Sequence, residues 1–250
     1  MEPPPSMDAE SLRDEKVKVL KSIRPFDLND IDQHAVRGQY TAGKIHSEPV
    51  PGYRDEVHVA SDSQTETYAA IKLQIDNWRW RGVPFYLRTG KRMASNQSSI
   101  AICFRHPPLQ FFKDTHVSCM NPNWVLLGIQ PEECIRIEMT VKEPGLEMHT
   151  RSSSLDASFR LPDERKSDAY EDLLIDVMRG DRSLFLRFDE VEHAWQIVDP
   201  VLKHWANSTQ NIQPYPAGSW GPENSQQLFS KPGQFWRSSL LPECDPFQAS

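Results

Sequence analysis

The chain has 250 residues, of which 38% are hydrophobic and 25% are charged, and its formal net charge is −7. The length suffices for a buried core, and the composition is typical of a globular protein with a polar surface. The acidic balance argues against a nucleic-acid groove, and no apolar run approaches the ~20 residues that a membrane span requires.

The N-terminal sequence Met-Glu-Pro-Pro-Pro has neither the basic nor the apolar region of a secretory signal. The four cysteines are sparse and irregularly spaced, unlike those of a disulfide framework. We therefore expect a cytoplasmic protein with no nucleic-acid partner and no membrane partner.

The first third of the chain predicts one helix between two irregular segments. Residues 1–11 are rich in proline, serine and acidic residues, so we expect a flexible N-terminal segment. Ser11 and Asp14 have the spacing of a capping box, with Asp in place of the usual Glu or Gln, and predict a helix over 11–23. Residues 41–66 show little periodicity and predict a long surface loop.

From residue 69 onward the hydrophobic pattern changes to the period of two that is typical of β-strands. Because the predicted strands follow one another without a helix between each pair, they favour an antiparallel sheet over βαβ units. The predicted strands cover residues 69–75, 83–87, 100–104, 124–129, 135–141 and 155–159.

Two helices and an irregular tail follow the strands. A capped amphipathic helix begins at Asp168 and ends at Gly180, and a second helix covers 189–205 with a kink at Pro200. The tail after Pro214 is rich in proline, glycine and serine, and we expect it to wrap around the surface. The predicted fold is α+β, a large and mainly antiparallel sheet with helices packed on one face.

The run Trp78-Arg-Trp-Arg-Gly-Val-Pro-Phe-Tyr-Leu-Arg-Thr-Gly-Lys-Arg92 places basic groups and glycine after a short apolar strand. This arrangement brings the Lys91 ammonium to a strand end, where it can meet phosphate or sugar hydroxyls. Gly90 next to it leaves room for such a ligand. Taken alone, a lysine in a turn is more often simply solvated, because exposed lysine is the rule.

This run closely resembles a segment in the C-terminal half of glucose-6-phosphate dehydrogenases. Other blocks resemble the same family in the same order, and the resemblance spans residues 1–237. It implies a domain over 12–237, a flexible tail over 238–250, and a sheet face that forms the subunit interface. The other blocks are Leu12-Arg-Asp-Glu-Lys-Val-Lys-Val-Leu20, Arg37-Gly-Gln-Tyr40, Asp168-Ala-Tyr-Glu171, Asp189-Glu-Val-Glu-His-Ala-Trp195 and Ala217-Gly-Ser-Trp-Gly-Pro222.

The resemblance implies oxidation of glucose 6-phosphate at C1, with a hydride passing to NADP and a histidine–aspartate pair taking the hydroxyl proton. The family's nucleotide-binding half, which carries those residues, has no counterpart here, so we expect no catalytic residue in this chain. Met1 is then either the true start or an internal methionine of a longer or split gene. We expect the chain to be inactive alone.

The resemblance implies that the chain supplies substrate contacts and an oligomer interface. The expected partners are glucose 6-phosphate and either another copy of the chain, a full-length subunit or an N-terminal half. The alternative is a non-catalytic binding or assembly protein derived from this domain.

The resemblance also implies which residues of this chain contact the substrate or a nucleotide. Lys91 matches a lysine that contacts glucose 6-phosphate, and Asn96 stands where the family usually has a second lysine. An asparagine can form hydrogen bonds but carries no charge. Gln130 matches a glutamine near the sugar, although a strand-end amide bonded to backbone is an equal alternative. Arg88 matches an arginine that contacts a second, structural NADP in some members, but we do not predict that nucleotide because two other basic positions of its site are Gln97 and Ala101 here.

A zinc site is a further hypothesis. Cys103 with His106 and His116 with Cys119 form two close pairs that could supply four ligands. Cys103, however, lies on an apolar strand, where a cysteine packs as a small hydrophobe. The spacing is also weaker evidence than a CxxC…CxxC pattern, so we predict no metal site.

Overall fold

The computed structural model describes residues 1–106, 122–146, 149–159, 169–208, 212–231 and 233–240. The chain divides into two compact units. The described residues of 1–94 and 166–232 form unit 1, and those of 95–165 and 233–250 form unit 2.

Helices and strands are numbered in chain order. The helices are α1 (Ala9–Lys21), α2 (Ile31–His34), α3 (Ala169–Arg179) and α4 (Phe188–Asn207). The strands are β1 (Ala35–Thr41), β2 (Gly43–Ile45), β3 (Glu48–Val50), β4 (Tyr68–Gln74), β5 (Pro84–Gly90), β6 (Ser98–Cys103), β7 (Trp124–Gln130), β8 (Cys134–Lys142), β9 (Thr150–Ser158) and β10 (Gln213–Pro216). In the described part of the chain, no helix has both the length and the apolar character needed to cross a bilayer.

Helix α1 begins earlier than its sequence pattern predicts. Its N-cap is Asp8, whose Oδ1 accepts hydrogen bonds from the backbone N–H groups of Glu10 at 3.0 Å and Ser11 at 2.9 Å. The predicted capping box at Ser11 and Asp14 is therefore wrong, because the Asp8 carboxylate already satisfies the first free N–H groups. The predicted end of α3 is confirmed, since Gly180 follows it with φ +73°.

Unit 1 contains a four-stranded sheet in the order β10-β1-β4-β5. Strand β10 runs parallel to β1, whereas β1 pairs antiparallel with β4 and β4 with β5. Strands β1, β5 and β10 therefore run in the same direction, and their C-terminal ends lie at one end of the sheet. This topology brings three distant parts of the sequence together at that end.

Two strands of this sheet were not predicted. Six successive residues of β1 are buried, so the strand lacks the alternation that marks a half-exposed strand. Strand β10 has four residues, two of which are prolines. The expectation that the chain after Pro214 wraps around the surface is wrong, because Tyr215 has an exposed fraction of 0% and Ala217 of 4%.

The segment predicted as a long loop over 41–66 contains a hairpin. Strands β2 and β3 pair antiparallel across His46 and Ser47, which have φ values of 49° and 72°. Positive φ at both central residues is the geometry of the tight turns that favour hairpins. The two strands have only three residues each, which is too short for the period of two to be visible in the sequence.

The core of unit 1 joins α2, β1 and α4. Ile31, Ala35, Val201 and Trp205 form a buried cluster, and Ile71 of β4 packs against it. Helix α4 continues through Pro200 and contributes Val201 directly after it. The cluster holds α2 and α4 against the sheet through apolar contacts, as the predicted α+β class requires.

Unit 2 contains a second four-stranded sheet in the order β6-β7-β8-β9, with every neighbouring pair antiparallel. The α+β class and the antiparallel pairing are confirmed. The strands of the described residues form two four-stranded sheets and the two-stranded β2–β3 hairpin rather than one large sheet.

The two faces of the unit 2 sheet differ in what covers them. On one face, Phe235 packs on Trp124 with a centroid separation of 5.9 Å, and Arg237 donates a hydrogen bond to Glu138 Oε1 at 2.7 Å. The opposite face carries aliphatic side chains that remain partly or largely exposed. We call this opposite side the apolar face; it includes Ile100, Ile102, Ile137 and Leu155, with exposed fractions of 48%, 41%, 36% and 61%.

Candidate functional site

Lys91 lies directly after β5, at the end of the unit 1 sheet where β1, β5 and β10 also end. Strand β5 pairs with β4 along its whole length, from Gly90 opposite Tyr68 to Pro84 opposite Gln74. The Lys91 side chain is exposed, and among the described residues no carboxylate forms an ion pair with its ammonium. As far as the described residues show, the strand is therefore followed by a cation without a carboxylate partner.

Residues 91–94, which we call the Lys91 loop, are held on the Lys91 side by two buried residues, Thr67 through its backbone carbonyl and Tyr215 through its side chain. The Lys91 N–H donates to the Thr67 carbonyl at 2.8 Å. The Tyr215 hydroxyl donates to the Lys91 carbonyl at 2.7 Å. Both backbone polar groups of Lys91 thus have partners inside the protein.

The remainder of the Lys91 loop is held by residues 215–221, which we call the bracing segment. The Gly218 N–H donates to the Arg92 carbonyl at 2.8 Å, and the Ala94 N–H donates to the Ser219 carbonyl at 2.9 Å. Backbone-to-backbone bonds of this length are of ordinary strength and geometry. Backbone hydrogen bonds thus join the Lys91 loop to residues 218–219 of the bracing segment, although neither stretch lies in a regular strand.

Arg92, the neighbour of Lys91, is neutralised. Its guanidinium donates to Glu56 Oε1 at 3.1 Å, and the Tyr40 hydroxyl donates to the same oxygen at 3.1 Å. The hydrogen bond with Glu56 raises the pKa of Arg92, and burial raises the pKa of Tyr40. Arg92 itself has φ 52°, an uncommon value for a residue other than glycine. Of these two adjacent cations, only Arg92 forms an ion pair among the described residues.

Gly90 serves packing inside the protein rather than space for a ligand. A Cβ at this position would lie 2.8 Å from Met93 Sδ and 2.9 Å from Tyr68 Cδ2. Protein side chains therefore fill the space that we expected a ligand to use. The glycine allows the Tyr68 ring to pack beneath the strand end.

Arg88 stacks on an aromatic ring. Its guanidinium carbon lies 5.1 Å from the centroid of the Trp220 ring, which is the geometry of a cation–π contact. Arg88 contacts the bracing segment through Trp220, and most of its surface is covered. Only the family resemblance links Arg88 to a second nucleotide, which the sequence does not predict because of Gln97 and Ala101.

Asn96 and Gln130 belong to unit 2 and lie at the same end of its sheet. Gln130 ends β7 and pairs with Ser98, two residues after Asn96. Both side chains are exposed, and in the part of the chain that the structure describes neither side chain forms a hydrogen bond. The alternative of a Gln130 amide bonded to backbone is therefore not observed, and the substrate contacts of both residues stay predictions.

Two of the four residues of the zinc hypothesis, Cys103 and His106, lie within the described part of the chain. Cys103 ends β6 and is exposed, and its thiol contacts the Phe104 carbonyl at 3.7 Å. His116 and Cys119 lie outside the described residues. Within those described, no three residues among histidine, cysteine, aspartate and glutamate are grouped closely enough to hold a metal ion.

Thr67, Tyr215 and Gly218 hold the Lys91 loop, but none of them was predicted as a functional residue. The block Ala217-Gly-Ser-Trp-Gly-Pro222 resembles the family, but its composition predicts a surface tail rather than a segment that contacts the Lys91 loop. Thr67 carried no signal, because it is a single polar residue before a strand.

The fold and the site define an α+β domain with an exposed lysine on a loop whose backbone is hydrogen-bonded to the protein. Residues 1–237 match the family model described as glucose-6-phosphate dehydrogenase, C-terminal domain. The chain is 46% identical over 242 residues to glucose-6-phosphate 1-dehydrogenase of Rhizobium meliloti (strain 1021), covering 96% of this chain and 49% of the relative. It is 42% identical over 240 residues to the same enzyme of Dickeya dadantii (strain 3937), covering 94% and 49%.

Solved structures give the same result. Glucose-6-phosphate 1-dehydrogenase from Mycobacterium avium superposes with a TM-score of 0.79 at 34% identity, covering 97% of this chain and 48% of that one. A glucose-6-phosphate dehydrogenase in complex with its substrate glucose 6-phosphate superposes with a TM-score of 0.80 at 33% identity, covering 95% and 48%. The chain belongs to the glucose-6-phosphate dehydrogenase family, in the part that forms the C-terminal domain. It spans about half the length of the relatives it matches.

The bracing segment should tolerate no side chain at Gly218. Gly218 has φ +85°, and a Cβ there would lie 1.9 Å from the Lys44 carbonyl oxygen. Gly82 has the similar φ of +79° but open space around it, so it is a matched control. Gly82→Ala should lose about 1–2 kcal/mol of unfolding free energy through backbone strain alone. Gly218→Ala should lose a further ~1–3 kcal/mol through the clash.

The measurement is urea unfolding of both variants and the parent. Equal losses in the two variants would contradict the close approach between Gly218 and Lys44.

Proposed function

We propose that this chain is the C-terminal part of an NADP-dependent glucose-6-phosphate 1-dehydrogenase. In this proposal it contributes a substrate contact and an oligomer interface, and it is inactive without a coenzyme-binding half. The observation that carries the proposal is the free ammonium of Lys91 on a loop whose backbone is fixed. Family membership and coverage of half the length of the relatives support it.

The proposed ligand of Lys91 is the sugar phosphate. A phosphate monoester carries about −1.5 to −2 charges at neutral pH and offers three acceptor oxygens. An ammonium that is free of carboxylates can donate to them without first breaking an ion pair. In the reaction, the C1–H hydride passes to NADP and the C1 hydroxyl proton to a base, which leaves 6-phosphogluconolactone and NADPH. The base and the main coenzyme site belong to the half that this chain does not contain.

The proposed oligomer interface is the apolar face of unit 2. Its aliphatic side chains are exposed on one side of a four-stranded sheet, whereas residues 233–240 contact the other side. Soluble proteins rarely leave a contiguous apolar surface of this kind uncovered. A second copy of the same sheet is the proposed cover, and obligate interfaces of this type bury on the order of 2,000 Å² or more.

The apolar face also favours the second candidate function, a non-catalytic protein that assembles with a full-length subunit or an unrelated partner. The DNA directly upstream of the Met1 codon would distinguish the two candidate functions. A nucleotide-binding half there, in frame or frameshifted, supports the dehydrogenase, whereas an independent promoter with no such sequence supports the assembly protein.

The isolated chain should show no detectable oxidation of glucose 6-phosphate. Loss of a general base alone costs ~10²–10⁴-fold in rate, and loss of coenzyme positioning adds to this. The measurement is NADPH absorbance with the purified chain at high enzyme concentration. Robust NADPH production would overturn the assignment of catalysis to another half.

With a coenzyme-binding half of a relative fused to the chain, Lys91→Ala should lower kcat/KM for glucose 6-phosphate by about ten- to a hundred-fold, the equivalent of one charge-assisted hydrogen bond. The KM for NADP should hardly change. Asn96→Lys should raise kcat/KM, because it adds a second cation. Unchanged sugar-phosphate kinetics in both variants would overturn the site.

The chain should self-associate at micromolar concentration through the apolar face. Leu155→Glu puts a charge on that face and should shift the sedimentation coefficient toward that of the monomer. Ser152→Glu is the matched control, since its side chain lies on the opposite face of the same strand. A parent chain that sediments as a monomer, or equal effects of both variants, would contradict the proposed interface.

A further inference from the structure

The Tyr215 hydroxyl is buried at the end of the unit 1 sheet and contacts three polar atoms. It lies 2.7 Å from the Lys91 carbonyl oxygen, 3.1 Å from the Thr67 carbonyl oxygen and 3.1 Å from Thr67 Oγ1. Tyr215 has an exposed fraction of 0%, so water does not compete for these bonds. The ring also packs against Tyr68, with a centroid separation of 5.6 Å.

These bonds have a definite direction. Thr67 Oγ1 accepts from the Tyr40 N–H at 3.0 Å, which leaves the Thr67 hydroxyl hydrogen to donate to the Tyr215 oxygen. Each hydroxyl has a single hydrogen, and Tyr215 directs its own to the nearer of its two carbonyl partners, that of Lys91. The result is a chain of donors from Tyr40 through Thr67 and Tyr215 to Lys91, in which each bond polarises the next.

The Lys91 residue is therefore held from both sides by the same pair of residues. Thr67 accepts from its N–H, and Tyr215 donates to its carbonyl. Because the positions of N and C fix the direction of the Cα–Cβ bond, the two bonds determine where the lysine side chain leaves the backbone. The ammonium at its end then samples a smaller volume than on a free turn.

We infer that Tyr215 is a positioning residue, which sets the orientation of Lys91 toward its ligand. The part of this inference that concerns glucose 6-phosphate rests on the proposed function. The part that concerns the loop rests only on the contacts within unit 1.

The ionisation of Tyr215 is consistent with this role. Burial raises the pKa of the Tyr215 hydroxyl, an effect that outweighs the hydrogen bond from Thr67, which lowers it. A tyrosine can donate to a carbonyl only in its neutral form. A raised pKa keeps that form present at neutral pH and up to at least the ordinary tyrosine value of about 10, so the bond persists over the whole physiological range.

Tyr215→Phe keeps the ring and removes the hydroxyl. In the full chain, amide hydrogen exchange at Lys91 and Arg92 should become roughly two- to tenfold faster, which is the effect of losing one hydrogen bond. Exchange in α4 should stay unchanged. Tyr53→Phe is the matched control, because Tyr53 packs edge-on against Tyr40 at 5.6 Å and its variant leaves the Tyr215 bonds in place. Unchanged exchange in the loop, or an equal increase in α4, would overturn the inference.

The second readout is kinetic and uses the same fusion with a coenzyme-binding half. Tyr215→Phe should raise the KM for glucose 6-phosphate about two- to tenfold, with the KM for NADP unchanged. Faster loop exchange with an unchanged KM for the sugar phosphate would contradict the substrate contact of Lys91 while the loop inference stands. Thr67→Val interrupts the same chain one step earlier, and it should give the same pattern if Tyr215→Phe does not fold.

Discussion

The candidate site depends on strand direction in the unit 1 sheet. Strands β1, β5 and β10 run the same way, so their C-terminal ends meet at one end of the sheet, where Thr67 also enters β4. The parallel pairing of β10 with β1 is what brings Tyr215 and the bracing segment to the Lys91 loop. An antiparallel β10 would place the same residues at the opposite end, and the loop would lose its partners.

The two adjacent cations of the Lys91 loop differ in their partners. Arg92 is paired with Glu56, whereas the Lys91 ammonium has no carboxylate partner in the described part of the chain. This division suits the two side chains, because a guanidinium forms fixed, directional bonds and an ammonium is a mobile point charge on a flexible stem. A carboxylate beside Lys91 would have to be displaced by an anionic ligand, which would weaken binding. The position of Glu56 on the Arg92 side avoids that cost.

The sequence predicts the features that appear as contiguous patterns, and it does not predict those that depend on contacts between distant residues. Strands β4 and β8 carry polar residues such as Lys72 and Glu138 between their apolar ones, so their alternation is visible in the sequence. Strand β1, in contrast, is buried on both faces, and β10 is short and rich in proline. Lys91 could be singled out from the sequence because its motif is contiguous, and its contact with the substrate stays a prediction. Tyr215 could not, because the bond that gives it a role joins residues 124 positions apart. Gly90 was predicted as a special position for the wrong reason, since its contact with Tyr68 also depends on the fold.

The hydrogen bonds that hold the backbone of Lys91 among the described residues lie within unit 1. The geometry of the loop is therefore preorganised without a ligand and without a coenzyme. In an enzyme of the proposed kind, binding of the sugar phosphate and transfer of the hydride would then be carried by separate halves of the protein. Contacts to a remote phosphate accelerate a reaction only as far as they position the reacting carbon, because uniform binding alone does not raise kcat. In such an enzyme, the fixed backbone of Lys91 would serve that requirement, since it sets the point from which the flexible lysine side chain reaches the substrate.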